Sequence, residues 1–116
     1  MGPAYRYRAH VISVYDGDTV RAHVSLGFDT QAMKVQLRLI GINTPEMTGS
    51  TRAAAEAARN RLRELVLNKD VVIDTVKDRT EKYGRYLAKI YVDIGGTWLC
   101  VNDVLVSEGL AVPYAP

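Results

Sequence analysis

The sequence predicts an all-β barrel carrying helices, α+β in looser terms, and three observations carry that prediction. Five segments read as strands, two of them with clean apolar alternation. One long helical segment is inserted after the third strand, and a Gly-Gly hairpin signal stands near the end. At 116 residues, 47% hydrophobic and 24% charged, the chain suits one domain with a single core, and two domains would be starved of core. That domain is expected over residues 5–115, with 1–4 as an N-terminal tail.

Tyr7 to Val14 reads as the first strand, ended by the Asp16-Gly17-Asp18 turn. From Thr19, Val20, Ala22, Val24 and Leu26 share one face, while Arg21, His23 and Ser25 take the other, the period of a half-buried strand. After Gly27-Phe28-Asp29 a third strand places Met33, Val35, Leu37 and Leu39 on one side and Arg38 on the other. Thr51 to Leu67 is helical, with Ala54, Ala58, Leu62, Leu65 and Val66 as its apolar stripe, Gly49-Ser50 as its entry and Asn68 as its stop. Val71 to Val76 and Tyr86 to Asp93 are the fourth and fifth strands, separated by the charged stretch from Lys77 to Arg85. Gly95-Gly96 turns the chain back through Thr97 to Cys100, with Trp98 expected to pack in the hairpin. Asn102 is positioned to cap a second helix, with Val101 and Val106 as a hydrophobic staple and Gly109 at its end. This order is that of a five-stranded barrel of the OB type with a helix after strand three and a short C-terminal helix. Such barrels bind many things, so function must come from the site.

Fifteen Lys+Arg against thirteen Asp+Glu give a net charge of +2, so attraction for a polyanion has to come from local clustering of cations. The single cysteine, Cys100, excludes an internal disulfide, and its apolar neighbours mark it as a small hydrophobe. Nothing is long or apolar enough to cross a membrane. The N-terminus lacks the apolar run of a signal peptide, which makes the cytoplasm the default location and secretion the alternative if a signal has been removed.

Asp16-Gly17-Asp18-Thr19 offers two carboxylates as oxygen ligands for a hard cation, although Asp-Gly is also a common hairpin turn. In Gly41-Ile42-Asn43-Thr44-Pro45-Glu46, Pro45 holds Thr44 extended and can aim its carbonyl, Asn43 offers an amide oxygen, and Glu46 suits a base that holds a water. The plain alternative is a helical turn with Pro at its first position. Arg38 and Arg85 can grip phosphate oxygens in bidentate fashion, although isolated arginines are usually solvated. His10 and His23 have no neighbouring ligands in sequence and read as ordinary histidines. Tyr83 and Tyr114 could stack on bases.

Four motifs in order, Asp16 to Thr19, Arg38 to Glu46, Asp78 to Arg85 and Val101 to Ala111, resemble the staphylococcal nuclease (thermonuclease) family from about Val11 to Tyr114. The resemblance implies a calcium-dependent nuclease on single-stranded or denatured DNA and on RNA, leaving 3′-phosphate ends and acting as a monomer without a membrane. By matched position, Asp18 is the main metal carboxylate, Thr44 a second ligand through its carbonyl, and Asp16 an acidic group behind them. Glu46 matches the general base, Arg38 and Arg85 the phosphate-binding arginines, and Lys82, Tyr83 and Tyr114 the nucleotide contacts.

Three departures stand out. Asn43 replaces an acidic ligand of the family, which removes a formal charge from the metal's surroundings. The link from Glu46 to the helix is shorter than in the secreted enzymes, and those enzymes continue into a third helix. The rival to an enzyme is a nucleic-acid-binding module of the same fold with weak or no catalysis.

Overall fold

The computed structural model describes residues 4–25, 33–80 and 86–114. In chain order these form β1 (Ala4–Asp16), β2 (Thr19–Val24), β3 (Met33–Leu39), β4 (Ile42–Asn43), a 3-10 turn (Gly49–Thr51), α1 (Arg52–Val66), β5 (Asp70–Thr80), β6 (Tyr86–Ile94), β7 (Thr97–Cys100), α2 (Val101–Ser107) and β8 (Val112–Pro113). The main sheet runs β3-β2-β1-β5-β6-β7 through antiparallel pairs. It closes because β3 also pairs with β6 in parallel, Leu37 opposite Tyr86 and Leu39 opposite Ala88. The result is the closed five-stranded barrel that the sequence predicts, with β7 folded back as the far half of the Gly95-Gly96 hairpin.

The alternation read in β2 is its burial pattern: Val20, Ala22 and Val24 face inward while Arg21 and His23 face solvent. β1 is more complex than an alternating strand. It spends an extra residue against β2 between Val11 and Ser13, and another between Val14 and Asp16. Such bulges bend the strand and increase its twist, which a small barrel needs to close. They also keep both Val11 and Val14 inside and push Tyr15 out to 75% exposure. Leu37, Leu39, Leu62, Ile73, Ile90 and Leu105 are the largest of the fully buried side chains that seal the interior, and Val11 and Val20 lie among them.

α1 buries Ala55, Ala58, Leu62, Leu65 and Val66, so Ala55 takes the inward place expected of Ala54, which is exposed. Both alanines fit helical spacing, and only packing against the barrel decides between them. The helix ends as expected: Asn68 adopts φ +59°, a conformation that asparagine tolerates better than most residues. The Asn68 amide donates to the Val11 carbonyl at 2.9 Å, and the Val11 amide to Lys69 at 3.1 Å, which pins the helix exit to β1. A bidentate Arg61–Glu108 pair at 2.8 and 2.9 Å joins α1 to the end of α2.

Two expectations fail for physical reasons. Asn102 is not a cap; it lies inside the first turn of α2 and is 2% exposed. Its amide nitrogen donates to the carbonyls of Ile40 (2.9 Å) and Ala88 (3.2 Å), and its oxygen accepts from the Ile90 amide at 3.1 Å. Buried backbone groups beside the β3–β6 junction need partners, and the side chain one residue into the helix reaches them. Trp98 does not pack in the hairpin; it stands on the last strand of the sheet and is 55% exposed.

Removing the Asn102 amide strands the Ile90 amide and the Ile40 carbonyl, while the Ala88 carbonyl keeps its bond from the Ile40 amide. Asn102→Ala is therefore expected to lower the unfolding free energy by about 3 kcal/mol in urea titrations. Ser107→Ala, on the exposed side of the same helix, should change it by less than about 0.5 kcal/mol.

Candidate active site

Strand register assembles the site. Thr19 pairs with Arg38, and the Leu39 amide donates to the Asp18 carbonyl at 2.8 Å, so the β1–β2 turn lies beside the end of β3. The chain then turns at Ile40-Gly41, and β4 comes back within reach of the Arg38 guanidinium. That group donates to the carbonyl of Leu39, to the carbonyl of Ile42 at 3.0 Å and to Asn43 Oδ1 at 2.6 Å. Its Nη2 also stands 3.5 Å from Asp18 Oδ2, and the two side chains are only 14% and 13% exposed. A guanidinium cannot shed its charge, so at this depth it has to be ringed by oxygen acceptors.

Asp18 is held less tightly. Three donors surround its carboxylate among the described residues, Thr19 Oγ1 at 3.3 Å, the Thr44 amide at 3.5 Å and Arg38 at 3.5 Å, and the Asp16 carboxyl adjoins it. All three are long for bonds to a charged carboxylate, which leaves its lone pairs available. Asp16 accepts the Asp18 amide at 3.1 Å. Burial, and after it the adjacent Asp18 carboxyl, pushes the Asp16 carboxyl above its ordinary range.

Gly17 has a role that a turn reading misses. Its φ is not in the left-handed region, so no hairpin geometry requires glycine there. A Cβ at this position would instead stand 2.8 Å from the Ala58 Cβ and 2.9 Å from the Thr44 methyl. The glycine therefore lets the acidic turn, the Thr44 loop and α1 meet. Thr44 is drawn to Asp18 from one side by its amide and pressed on Gly17 from the other.

Glu46 is exposed, and its carboxylate has no polar partner among the described residues. Its backbone is anchored: Thr51 Oγ1 lies 2.7 Å from the Glu46 carbonyl and 2.9 Å from that of Thr48 and donates its proton between them. A small β4–β8 sheet, Ile42 opposite Pro113 and Asn43 opposite Val112, braces the loop from behind. The Tyr114 amide donates to the Gly41 carbonyl at 2.8 Å, which places this half-exposed tyrosine beside the site loop. No sequence pattern signals this two-residue pairing. Arg85, Lys82 and Tyr83 lie outside the described residues. The structure thus brings together Asp16, Asp18, Arg38, Asn43 and Thr44.

The donor set suits a hard cation. Among the described residues no three His, Cys, Asp or Glu side chains cluster as metal ligands, so an ion here would draw on carboxylate, carbonyl and amide oxygens and on water. Asp18 has the spare lone pairs, and Asn43 Oδ1 keeps a second one beyond its bond to Arg38. Cys100 contributes nothing to this chemistry: it is half-buried, and burial pushes its thiol up and away from the reactive thiolate.

Residues 36–115 match the model of a family described as staphylococcal nuclease homologue. The SPbeta prophage-derived endonuclease YokF of Bacillus subtilis is 35% identical over 100 residues, covering 83% of this chain and 30% of its own. Endonuclease YncB of Bacillus subtilis is 34% identical over 100 residues, covering 83% and 43%. An uncharacterized protein of Methanocaldococcus jannaschii is 27% identical over 129 residues, covering 93% and 59%. The chain therefore spans between 30% and 59% of the length of these relatives.

Gly17→Ala must push Thr44 or α1 outward. It is expected to destabilise the fold by about 1–3 kcal/mol, read by urea titration. In Gly17→Ala/Ala58→Gly one of the two clashes is relieved, so part of that loss should return.

Proposed function

The chain belongs to the staphylococcal nuclease homologue family, and on that premise we propose that it is a metal-dependent nuclease that hydrolyses phosphodiester bonds in DNA and RNA. The observation that carries the proposal is the enclosure of Arg38 3.5 Å from an under-bonded Asp18, at the rim of the barrel and beside Thr44. A fixed cation next to a carboxylate with free lone pairs is what a phosphate and its counter-ion both require.

In this reading Asp18, the Thr44 carbonyl and Asn43 hold a divalent metal, calcium by preference, with Asp16 behind them. The ion, when bound, supplies charge neutralisation at the phosphate. Arg38 donates to a nonbridging phosphate oxygen and offsets the charge gathering there as phosphorus becomes five-coordinate, and Arg85 provides the second such contact. Glu46 orients a water and takes its proton as the water oxygen bonds to phosphorus. The bond from phosphorus to the 5′ oxygen breaks, the 5′ oxygen gains a proton from solvent, and a 3′-phosphate end remains. Lys82, Tyr83 and Tyr114 contact the nucleotide, through charge and stacking.

One observation favours a second reading. Asn43 lacks a formal charge, and its oxygen is already 2.6 Å from Arg38, so metal attraction is weaker than an aspartate would give. The rival is a nucleic-acid-binding module with little or no catalysis.

Cleavage of single-stranded and denatured DNA across a calcium titration separates the two. A nuclease gives cleavage that rises with calcium, stops with chelator and falls at least about a hundredfold in Glu46→Gln. Oligonucleotide binding without cleavage at any calcium concentration identifies the module.

A further inference from the structure

On the outer face of the barrel, at the other end of β2 from Thr19, lies a groove of about 570 Å³ that the chemistry above leaves unused. Cross-strand register builds it. His23 on β2 stands opposite His10 on β1, His10 stands opposite Asp70 on β5, and Trp98 on β7 stands opposite Asp93 on β6. Arg8, two residues before His10, projects from the same face, since alternate residues of a strand share a side. Ala9, Ser25, Val71 and Val72 complete the lining.

The polar groups of the groove are unequal. The Asp70 carboxylate is engaged, 2.8 Å from His10 Nδ1. The side chains of Arg8 and His23 have no hydrogen-bond or ion-pair partner among the described residues. Trp98 turns more than half of its surface to solvent from the last strand of the sheet. An unpaired cation and an exposed indole that line one groove over an apolar floor match a ligand that joins an anion to a flat aromatic ring.

We infer that this groove is a second contact for single-stranded nucleic acid: a base stacks on Trp98, and the adjoining phosphate is held by Arg8 with a ring N–H of His23. The choice of ligand rests on the nuclease reading, because a nucleotide unit is the substrate component that carries both features. Stacking on an aromatic face with a neighbouring cation holds single strands without sequence preference. The volume lies in the ordinary range for a site that takes one small unit. Arg8, whose carbonyl accepts the Ser25 amide, lies level with Ser25, six residues along the unbulged β2 from Thr19, about 20 Å at the rise of an extended strand. A dinucleotide at Asp18 cannot span that distance, whereas a longer strand can. The groove therefore makes affinity depend on the length of the substrate.

Trp98 is the only tryptophan of the chain, so its fluorescence reports on the groove without any substitution. The test titrates a long labelled oligothymidylate into the protein in chelator, where nothing is cleaved, and follows label anisotropy and tryptophan emission together. The expected result is quenching with the same midpoint as the anisotropy. Arg8→Ala should weaken the long oligomer by at least about fivefold, with Arg8→Lys intermediate and dithymidylate binding unchanged. Anisotropy that reports binding while Trp98 emission stays constant overturns the inference and leaves the nuclease reading standing. So does emission that changes with protein concentration alone and tracks a dimer in sedimentation, since the occupant is then a second copy. If the oligomer does not bind at all, the inference and the nucleic-acid reading fall together.

Discussion

The junction between β3 and β6 is where this barrel either closes or stays an open sheet, and the candidate site grows out of that closure. Parallel pairing there is short, three residue pairs from Leu37–Tyr86 to Leu39–Ala88, and buried carbonyls lie on both sides of it. Two side chains answer them. Asn102 reaches in from α2 to the carbonyls of Ile40 and Ala88, and Arg38 takes those of Leu39 and Ile42. Arg38 is thus held by the architecture before any ligand arrives, which is the preorganisation that charge stabilisation in a transition state requires.

The same closure explains why the acidic turn stands next to that arginine. The register of β2 with β3 sets Thr19 opposite Arg38 and joins Leu39 to Asp18 through the backbone. Gly17 then admits Thr44 and Ala58 into contact with the turn, so α1 packs under the site and not beside it. Geometry at the carboxylates therefore depends on helix packing some distance along the chain. Glu46 is the least constrained member, fixed through its backbone by Thr51 while its carboxylate remains in solvent.

Much of this is legible in the sequence where local rules dominate. Alternation in β2, the Gly95-Gly96 hairpin and the Asn68 stop each follow from side-chain period or backbone preference, and each is found in place. What escapes is set by contacts between distant segments. Ala54 and Ala55 are equivalent by helical spacing, and only the packing of the helix on the barrel chooses between them. Asn102 has the composition of a cap, and its clamp on Ile40 and Ala88 exists only once the barrel is shut. The bulges of β1 and the β4–β8 pairing leave no pattern at all. At the site, the motifs locate Asp18, Arg38 and Thr44, but the bond from Arg38 to Asn43 depends on how β4 returns over the end of β3.

Family membership motivates the proposal of phosphodiester hydrolysis, and the arrangement of Asp18 beside a caged Arg38 gives that proposal its physical content. Calorimetric titration of calcium into the wild-type chain and into Asp18→Asn, without nucleic acid, tests that content most directly. The account predicts saturable calcium binding that Asp18→Asn abolishes while circular dichroism and thermal unfolding show an intact fold. Calcium binding by a folded Asp18→Asn at wild-type strength would place the ion elsewhere and contradict it.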